Sequence, residues 1–393
     1  MKLSIIFFII VVLSSELYGQ STMNNVLRDI ETNSATLQAL KQQAEAQKLG
    51  NRSGIYLDNP EVEFGYLWGS PVSEGNRTDF SVMQSFDFPT AYAHRSNIAE
   101  GRNRIAEYEY EQQRKELLLQ AGVVCVNLIY CNALKPELDK RLQHAQSIAT
   151  AYTERFSRGD VDALERNKAQ LNLLNARKAN EANEIERAAL LSELQRLNGG
   201  KAIVFDDADY PEYIIPVDFE QWYAQAQECN PALRMLAQET EVSRHQEKLN
   251  RSLGLPKFSA GYMSESILGT SLQGITVGVS IPLWENKNAV KQAKAQTMAW
   301  QNMETDTKMQ FYNSLKTQHA KAFGLQNLAA DYREALQITS NADLLKKALD
   351  LGQLSLIEYI MELTIYYDAA DNVLQAERDA WFSILELRQW EEN

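Results

Sequence analysis

Four short stretches of the chain alternate apolar and polar residues with a period of two. In the first, Val62, Phe64 and Tyr66 are separated by Glu63 and Gly65, so the apolar side chains lie on one side of an extended strand. The pattern predicts β-strands with one apolar and one polar face. Such strands are predicted at residues 62–68, 80–88, 258–262 and 275–283, with polar loops at residues 69–78 and 266–273.

Long helices account for most of the remaining pattern. The segments are rich in Ala, Leu, Gln, Glu, Lys and Arg, which favour helices. Several far exceed the usual three turns, which indicates side-by-side packing as in coiled coils. Pro136 predicts a kink or an interruption in the first long helix. The predicted helices cover residues 22–50, 93–157, 161–198, 219–253, 288–349 and 354–390.

The chain resembles itself after about 195 residues, which indicates an internal duplication. The landmarks that recur in order are a proline before an aromatic strand, a strand end that runs into a long helix, and a glycine followed later by glutamate. They lie at residues 60–66 and 256–262, at 86–89 and 281–284, and at 159–165 and 352–358. The sequence therefore predicts two repeats, residues 21–198 and 218–393, joined by an equatorial segment at residues 199–217.

The helix lengths predict how the repeats combine. The first long helix spans roughly 95 Å at 1.5 Å per residue, and the two helical segments after it together match that length. The second long helix is followed by only one helical segment that runs back along it. The N-terminal helix is therefore predicted to supply the second segment. Stacking the last helix end to end on the first places the strands at one end and the glycine turns at the other.

The first residues predict a secretory signal peptide, residues 1–20. Lys2 precedes an apolar core at residues 5–13, shorter than the roughly 20 residues that cross a bilayer. No later apolar run is predicted to be long enough for a membrane helix, and the mean hydropathy is -0.38. A search for long apolar runs does not detect transmembrane β-strands, because apolar and polar residues alternate along them. Because a membrane barrel needs at least about eight strands, four must either join strands of other copies or pack elsewhere.

Charge and motif content exclude several classes of function. A net charge of -13 argues against a nucleic-acid partner. No phosphate-binding loop or nucleophile elbow is present, so neither an enzyme nor a cofactor is expected. No metal site is expected from the four histidines, which are scattered without ligand spacing: His94, His144, His245 and His319.

Two further groups of residues have a structural rather than a chemical interpretation. Asp206, Asp207 and Asp209 could bind a cation through oxygen ligands, but a flexible surface segment is the favoured interpretation. The cysteines do not form a disulfide framework, because two of them lie on one predicted helix about 9 Å apart. Buried free thiols are therefore predicted at Cys125, Cys131 and Cys229.

The ordered pair of strand ends and the pair of helix–glycine–helix turns resemble those of the TolC-type outer-membrane factors, including their heavy-metal efflux branch. The resemblance covers essentially the whole chain after the signal peptide. It implies a mainly α fold with a small β part: a duplicated α-barrel tunnel and four transmembrane strands per chain. A homotrimer would complete a twelve-stranded barrel in the outer membrane of a bacterium, with a large periplasmic part.

The resemblance also implies partners and site residues. The chain would be the passive exit duct of a tripartite efflux system, receiving small molecules or metal ions from an inner-membrane pump, of the RND type, through a periplasmic adaptor. The adaptor would dock on turns comprising Arg158, Gly159, Asp160 and Val161, and Leu351, Gly352, Gln353 and Leu354.

The same family often narrows its tunnel with acidic residues. Glu358 and Glu165 would lie at the constriction, where carboxylates would favour cations. Met361 stands where the family has a further acidic residue, so this chain keeps only half of the acidic residues that form the ring. An aromatic girdle at the membrane surfaces is expected from Tyr66, Trp68 and Trp284.

Two alternatives to small-molecule efflux stay open. One is a duct for type I protein secretion, since a tunnel does not reveal its cargo. The other, from a different class, is a soluble periplasmic coiled-coil scaffold or adaptor. The aromatic strand hairpins distinguish the two classes, because a scaffold has no need for apolar side chains on an outward sheet face.

Overall fold

The computed structural model describes residues 22–284, 286–338 and 342–391. The predicted signal peptide lies outside these residues. The helices are α1 (Met23–Asn33), α2 (Ala35–Asn51), α3 (Pro89–Arg158), α4 (Ala163–Leu197), α5 (Phe219–Glu228), α6 (Pro231–Ser252), α7 (Ala289–Ile338), α8 (Ala342–Asp350) and α9 (Leu356–Arg388). The strands are β1 (Glu61–Leu67), β2 (Arg77–Phe86), β3 (Lys257–Ile267) and β4 (Thr270–Ser280). Two helices, a hairpin and a long helix thus occur twice in the same order, and the repeat boundaries stay a prediction.

The four strands form one antiparallel sheet in the order β1-β2-β3-β4. Within it, Phe64 lies opposite Phe80, and Val82 lies opposite Tyr262. The alternation in sequence therefore becomes a two-faced sheet, as predicted. The β3–β4 connection is tighter than the predicted loop, since only Leu268 and Gly269 separate the strands, with φ angles of 49° and 84°. Two positive φ values suit a two-residue hairpin turn.

Two predicted helices are each broken in two. The segment predicted at residues 219–253 stops at Glu228, and a new helix starts at Pro231, where the Asn230 side chain accepts hydrogen bonds from the backbone N–H of Ala232 and Leu233. Asn at the N-cap with Pro at the first helical position is a strong start signal. The segment predicted at residues 22–50 breaks at Ser34, the matching place in the first repeat.

Pro136 does not interrupt its helix, so of the two predicted outcomes, a kink or an interruption, the interruption does not occur. Helix α3 runs continuously through it from Pro89 to Arg158. The loss of one backbone hydrogen bond and the ring clash cost about 3 kcal/mol. Packed residues on both sides of the proline, including Leu128, Ile129 and Leu138, hold the helix together.

Helix α3 also corrects the expectation about membrane helices. Within the described residues it is the one helix with an 18-residue stretch apolar enough, by length and composition, to cross a membrane. However, 44% of that stretch is buried inside the protein, and a core helix passes the same test. Packing of α3 within the protein therefore accounts for part of the apolar run.

The chain divides into two compact units. The turn unit comprises the described residues up to Ala35, together with Gln120–Tyr213 and Gly324–Phe382. The sheet unit comprises Thr36–Leu119, Ile214–Phe323 and the described residues from Ser383 onward. In the turn unit, α3, α4 and α9 pack around Tyr152, Leu173 and Tyr359. In the sheet unit, α3 and α6 pack around Ile98, Ile105, Val242 and Leu249.

Candidate functional site

One face of the sheet is apolar and exposed. Large side chains that proteins normally bury are open here: Ile275 is 84% exposed and Val277 is 73% exposed. An exposed apolar surface of this kind marks contact with lipid or with another protein. The register places on this face Val62, Phe64, Tyr66, Phe80, Val82, Phe86, Phe258, Ala260, Tyr262, Ile275, Val277 and Val279.

The opposite face carries mainly small and polar side chains with a few charges, together with Leu67, Met83, Met263, Ile267 and Leu272. Arg77 contacts two carboxylates there, with Nε 2.7 Å from Asp79 Oδ1 and Nη2 3.2 Å from Glu265 Oε2. Glu61 and Glu63 are exposed on the same face. Serine, threonine and glycine fill many of the other positions, so this face suits contact with water.

Aromatic residues mark both ends of the sheet. Tyr66 and Trp68 lie at the hairpin end, with ring centroids 5.5 Å apart in an edge-to-face arrangement. The Tyr66 hydroxyl accepts a hydrogen bond of 2.6 Å from Asn76. Trp284 follows β4 at the opposite end and is 79% exposed. An 11-residue strand is about 36 Å long, or about 28 Å high at a tilt near 40°, close to the apolar band of membrane barrels.

The sheet has two open edges. Strands β1 and β4 are the outer strands of the sheet, so within the described residues each has a strand neighbour on one side only. Unpaired backbone N–H and C=O groups on a strand edge are available for pairing with another chain. In lipid they would have to be paired.

The two glycine turns have the same backbone structure. The N–H of Gly159 donates to the carbonyl of Phe156, and the N–H of Asp160 donates to Arg155. In the second turn, Gly352 donates to Leu349, and Gln353 donates to Ala348. These paired bonds form a Schellman motif, which ends a helix at a residue with positive φ. The glycine φ angles are 82° and 70°, and a Cβ on either would meet open space.

Around these turns the predicted docking residues are exposed, apart from two that are half-buried. Arg158, Gly159, Asp160, Leu351, Gly352 and Gln353 are exposed, and Val161 and Leu354 are half-buried. Val161 packs against the core of the turn unit. The turns therefore present polar and apolar atoms to solvent on a fixed backbone.

Glu358 has a structural role at the start of α9. Its Oε2 accepts a 2.8 Å hydrogen bond from the backbone N–H of Ser355, while the Ser355 hydroxyl accepts one of 3.3 Å from the N–H of Glu358. This reciprocal pair is a capping box. The hydrogen bond from the Ser355 backbone lowers the pKa of Glu358. Its carboxylate is therefore ionised at neutral pH and held in one orientation.

The second predicted constriction residue, Glu165, has a different setting. It is half-buried, and its backbone N–H donates to the capping side chain of Asp162 at the start of α4. On α9, exposed Met361, Glu362 and Ile365 continue on the same side of the helix as Glu358. This side of α9 therefore carries both apolar and acidic side chains.

The acidic run of the equatorial segment lies between residues that pack within the turn unit, whereas a flexible surface segment was the favoured interpretation of this run. Phe205 is buried, and Tyr210 stacks on Trp381 with ring centroids 5.7 Å apart. Asp206 forms a 2.6 Å ion pair with Arg187. Burial and the neighbouring Asp206 and Asp209 raise the pKa of Asp207, against a hydrogen bond that lowers it.

The cysteines are free as predicted, and the predicted burial holds for Cys125 and Cys131 but not for Cys229. All three cysteines are free, with Cys125 and Cys131 buried and Cys229 half-buried. Burial raises the pKa of the Cys125 thiol to about 12 and that of Cys131 to about 11, so both are protonated and unreactive at neutral pH.

The sequence did not predict that two of the histidines lie next to each other in the fold. The fold brings His94 of α3 and His245 of α6 together, with ring centroids 5.8 Å apart. Nothing in the spacing of the two along the chain indicated this. In the part of the chain that the structure describes, no group of three or more His, Cys, Asp or Glu residues is arranged to hold a metal ion.

Comparison with known proteins identifies the fold. No protein-family model matches the chain. No curated protein sequence matches it significantly. Solved structures do: the CmeC outer membrane channel of Campylobacter jejuni is similar with a TM-score of 0.77 and 16% identity, over 94% of this chain and 85% of that chain.

Two other structures give the same result. The outer membrane protein VceC of Vibrio cholerae is similar with a TM-score of 0.74 and 11% identity, over 94% of this chain and 95% of that chain. The MtrE outer membrane channel of Neisseria gonorrhoeae, in its open state, is similar with a TM-score of 0.73 and 12% identity, over 94% of this chain and 88% of that chain. The chain therefore has the TolC-type fold of outer-membrane channels, as the strand ends and glycine turns predict.

Proposed function

We propose that this protein is the outer-membrane channel of a bacterial tripartite efflux system. It is a passive exit duct for small molecules or metal ions that an inner-membrane pump, of the RND type, delivers through a periplasmic adaptor. The observation that carries the proposal is the two-faced sheet with two open edges. Its apolar face suits lipid, its polar face suits an aqueous pore, and its edges require partners.

Three copies complete the pore in this proposal. Strand β1 of one copy pairs with β4 of the next, so three chains of four strands form a closed barrel of twelve strands. The outer strands run in opposite directions, so this junction is antiparallel like those within the sheet. The apolar faces must also coincide, which brings Val62, Phe64 and Tyr66 beside Ile275, Val277 or Val279 rather than beside Thr276 or Gly278.

Cysteine cross-linking tests this junction. In the test variants, Phe64→Cys is combined in one chain with a second cysteine at position 275, 277 or 279. In the matched controls the second cysteine is at position 276 or 278. Cys229→Ser is included in every variant to remove the accessible native thiol. We expect oxidation to give covalent trimers for at least one member of the same-face set and none of the control set, because opposite faces point away from each other. Monomers with every pair, or trimers with both sets alike, would refute the proposed junction.

The glycine turns are the proposed adaptor-docking sites. Their support is the repeated Schellman geometry together with exposed side chains such as Leu351 and Arg158 beside each glycine. A turn fixed by backbone hydrogen bonds presents its side chains with little loss of conformational entropy on binding. The duplication gives two such turns per chain.

Glu358 is proposed to line the constriction and to favour cations. Glutamine keeps a side-chain oxygen that accepts the Ser355 hydrogen bond but removes the charge, whereas alanine removes both. We expect Glu358→Gln and Glu358→Ala to lower the cation preference of single channels in planar bilayers to a similar extent. If Glu358→Gln leaves the reversal potential in a salt gradient unchanged, the residue is a helix cap only.

A further inference from the structure

We propose that His94 and His245 form a binding site for a divalent transition-metal ion, of the class of Cu²⁺, Zn²⁺ or Ni²⁺, that joins α3 to α6 in the sheet unit. Imidazole nitrogen is a preferred ligand for these ions. Two protein ligands and water would complete the coordination. The site is independent of the proposed channel function.

The distance between the two rings is close to that of two ligands on one ion. A metal–nitrogen bond of about 2.0–2.1 Å puts the ion about 3.2 Å from each ring centroid, so ligands at a tetrahedral angle have centroids about 5.2 Å apart. The observed separation is 5.8 Å, with the ring planes inclined by 47°. A side-chain adjustment of roughly half an ångström brings the centroid separation to that of two ligands on one ion.

His94 has an unsatisfied nitrogen. Its Nδ1 is buried without a hydrogen-bond partner. Buried polar atoms are nearly always partnered, so an orphan requires an explanation. The two helices that carry the histidines are fixed here by packing of Ala91 and Ile98 against Val242 and Leu249. The ligands are thus held near each other before any ion binds.

Asn97 supplies an orienting contact for His245. Its side-chain amide nitrogen lies 3.5 Å from His245 Nδ1, and the oxygen and nitrogen of an amide exchange places by a simple flip. With the oxygen facing the ring, Nδ1–H donates to Asn97 and Nε2 is left for the ion. Such a second contact on a ligating histidine fixes its tautomer and raises its basicity.

Two charged side chains, Glu241 and Lys248, act on His245. The Glu241 carboxylate is paired with Arg244, with 2.5 Å between its Oε1 and Nη1 of the arginine, so the proposal does not use it as a ligand.

Metal titration of the full chain in detergent, purified without a polyhistidine tag, tests the proposal. We expect one Cu²⁺ or Zn²⁺ per chain by calorimetry, and for Cu²⁺ an electron paramagnetic resonance spectrum with two equivalent nitrogen ligands. His94→Gln and His245→Gln should each lower the affinity at least ten-fold and remove the two-nitrogen signature. His144→Gln and His319→Gln are matched controls, because each of those histidines has its own partner, Tyr367 and Pro216, elsewhere in the chain.

A variant of Asn97 separates metal binding from a purely structural role. Asn97→Asp places a carboxylate against His245 Nδ1–H and should tighten binding, whereas Asn97→Ala should weaken it roughly ten-fold. Circular dichroism confirms that each variant keeps its helix content. Wild-type affinity in both histidine variants, or equal losses in the two control variants, would overturn the site.

Discussion

Replacing Gly352 with arginine and Leu354 with glutamate is expected to abolish export while leaving the assembled channel in the outer membrane. Gly352 adopts φ 70°, which costs a residue with a Cβ about 1–2 kcal/mol. That cost is small for a long helical protein, so the fold survives. The new bulk and charge, however, lie on the surface proposed to receive the adaptor. A strain that lacks the native gene, complemented with the variant, should be as sensitive to toxic compounds and metal salts as the uncomplemented strain.

Gly200 offers a matched control for this experiment. It follows the end of α4 with φ 85°, and a Cβ there would also meet open space. Its N–H donates to the carbonyl of Gln195, the bond that Asp160 and Gln353 make in the two turns. Gly200→Arg therefore places an arginine at another glycine of positive φ near a helix end, outside the proposed docking turns, and controls for the Gly352→Arg half of the variant. It should restore full resistance. If both variants fail alike, backbone strain explains the loss; if the Gly352 and Leu354 variant exports normally, the docking assignment is wrong.

The strands were predictable because alternation is a local signal. Every predicted strand is present, and β1 begins within a residue of its predicted start. The β3–β4 turn was predicted too long, since Ser266 and Ser271 are polar positions that pair with each other inside the sheet. Near a hairpin end both faces carry polar residues, so alternation no longer separates strand from loop.

The site was less predictable for two different physical reasons. The capping box of Ser355 and Glu358 is a four-residue pattern that can be read directly, yet a glutamate at that place has the same sequence whether it caps a helix or lines a pore. The contact of His94 with His245 depends on how α3 packs on α6, which no local pattern encodes. Long-range packing also explains why Pro136 is tolerated inside α3.

A lysine in place of Val277 is expected to prevent assembly of the channel in the outer membrane. Val277 lies near the middle of β4 on the apolar face, where the proposal places lipid. A lysine at the bilayer midplane costs about 2–4 kcal/mol, and three copies in one trimer raise this to about 6–12 kcal/mol. That is comparable to the whole stability of many proteins. Membrane fractionation and native gels should show loss of the trimer from the outer membrane.

Thr276 provides the control one residue away, on the opposite face of the same strand. It lies opposite Gly261 of β3, among the small residues of the polar face. Thr276→Lys therefore directs the same charge into the proposed pore, where water solvates it. We expect this variant to assemble normally and to conduct with a lower cation preference than the wild type. The two variants place the same lysine at neighbouring positions but on opposite faces of the sheet. Equal assembly of both would therefore show that the apolar face does not contact lipid.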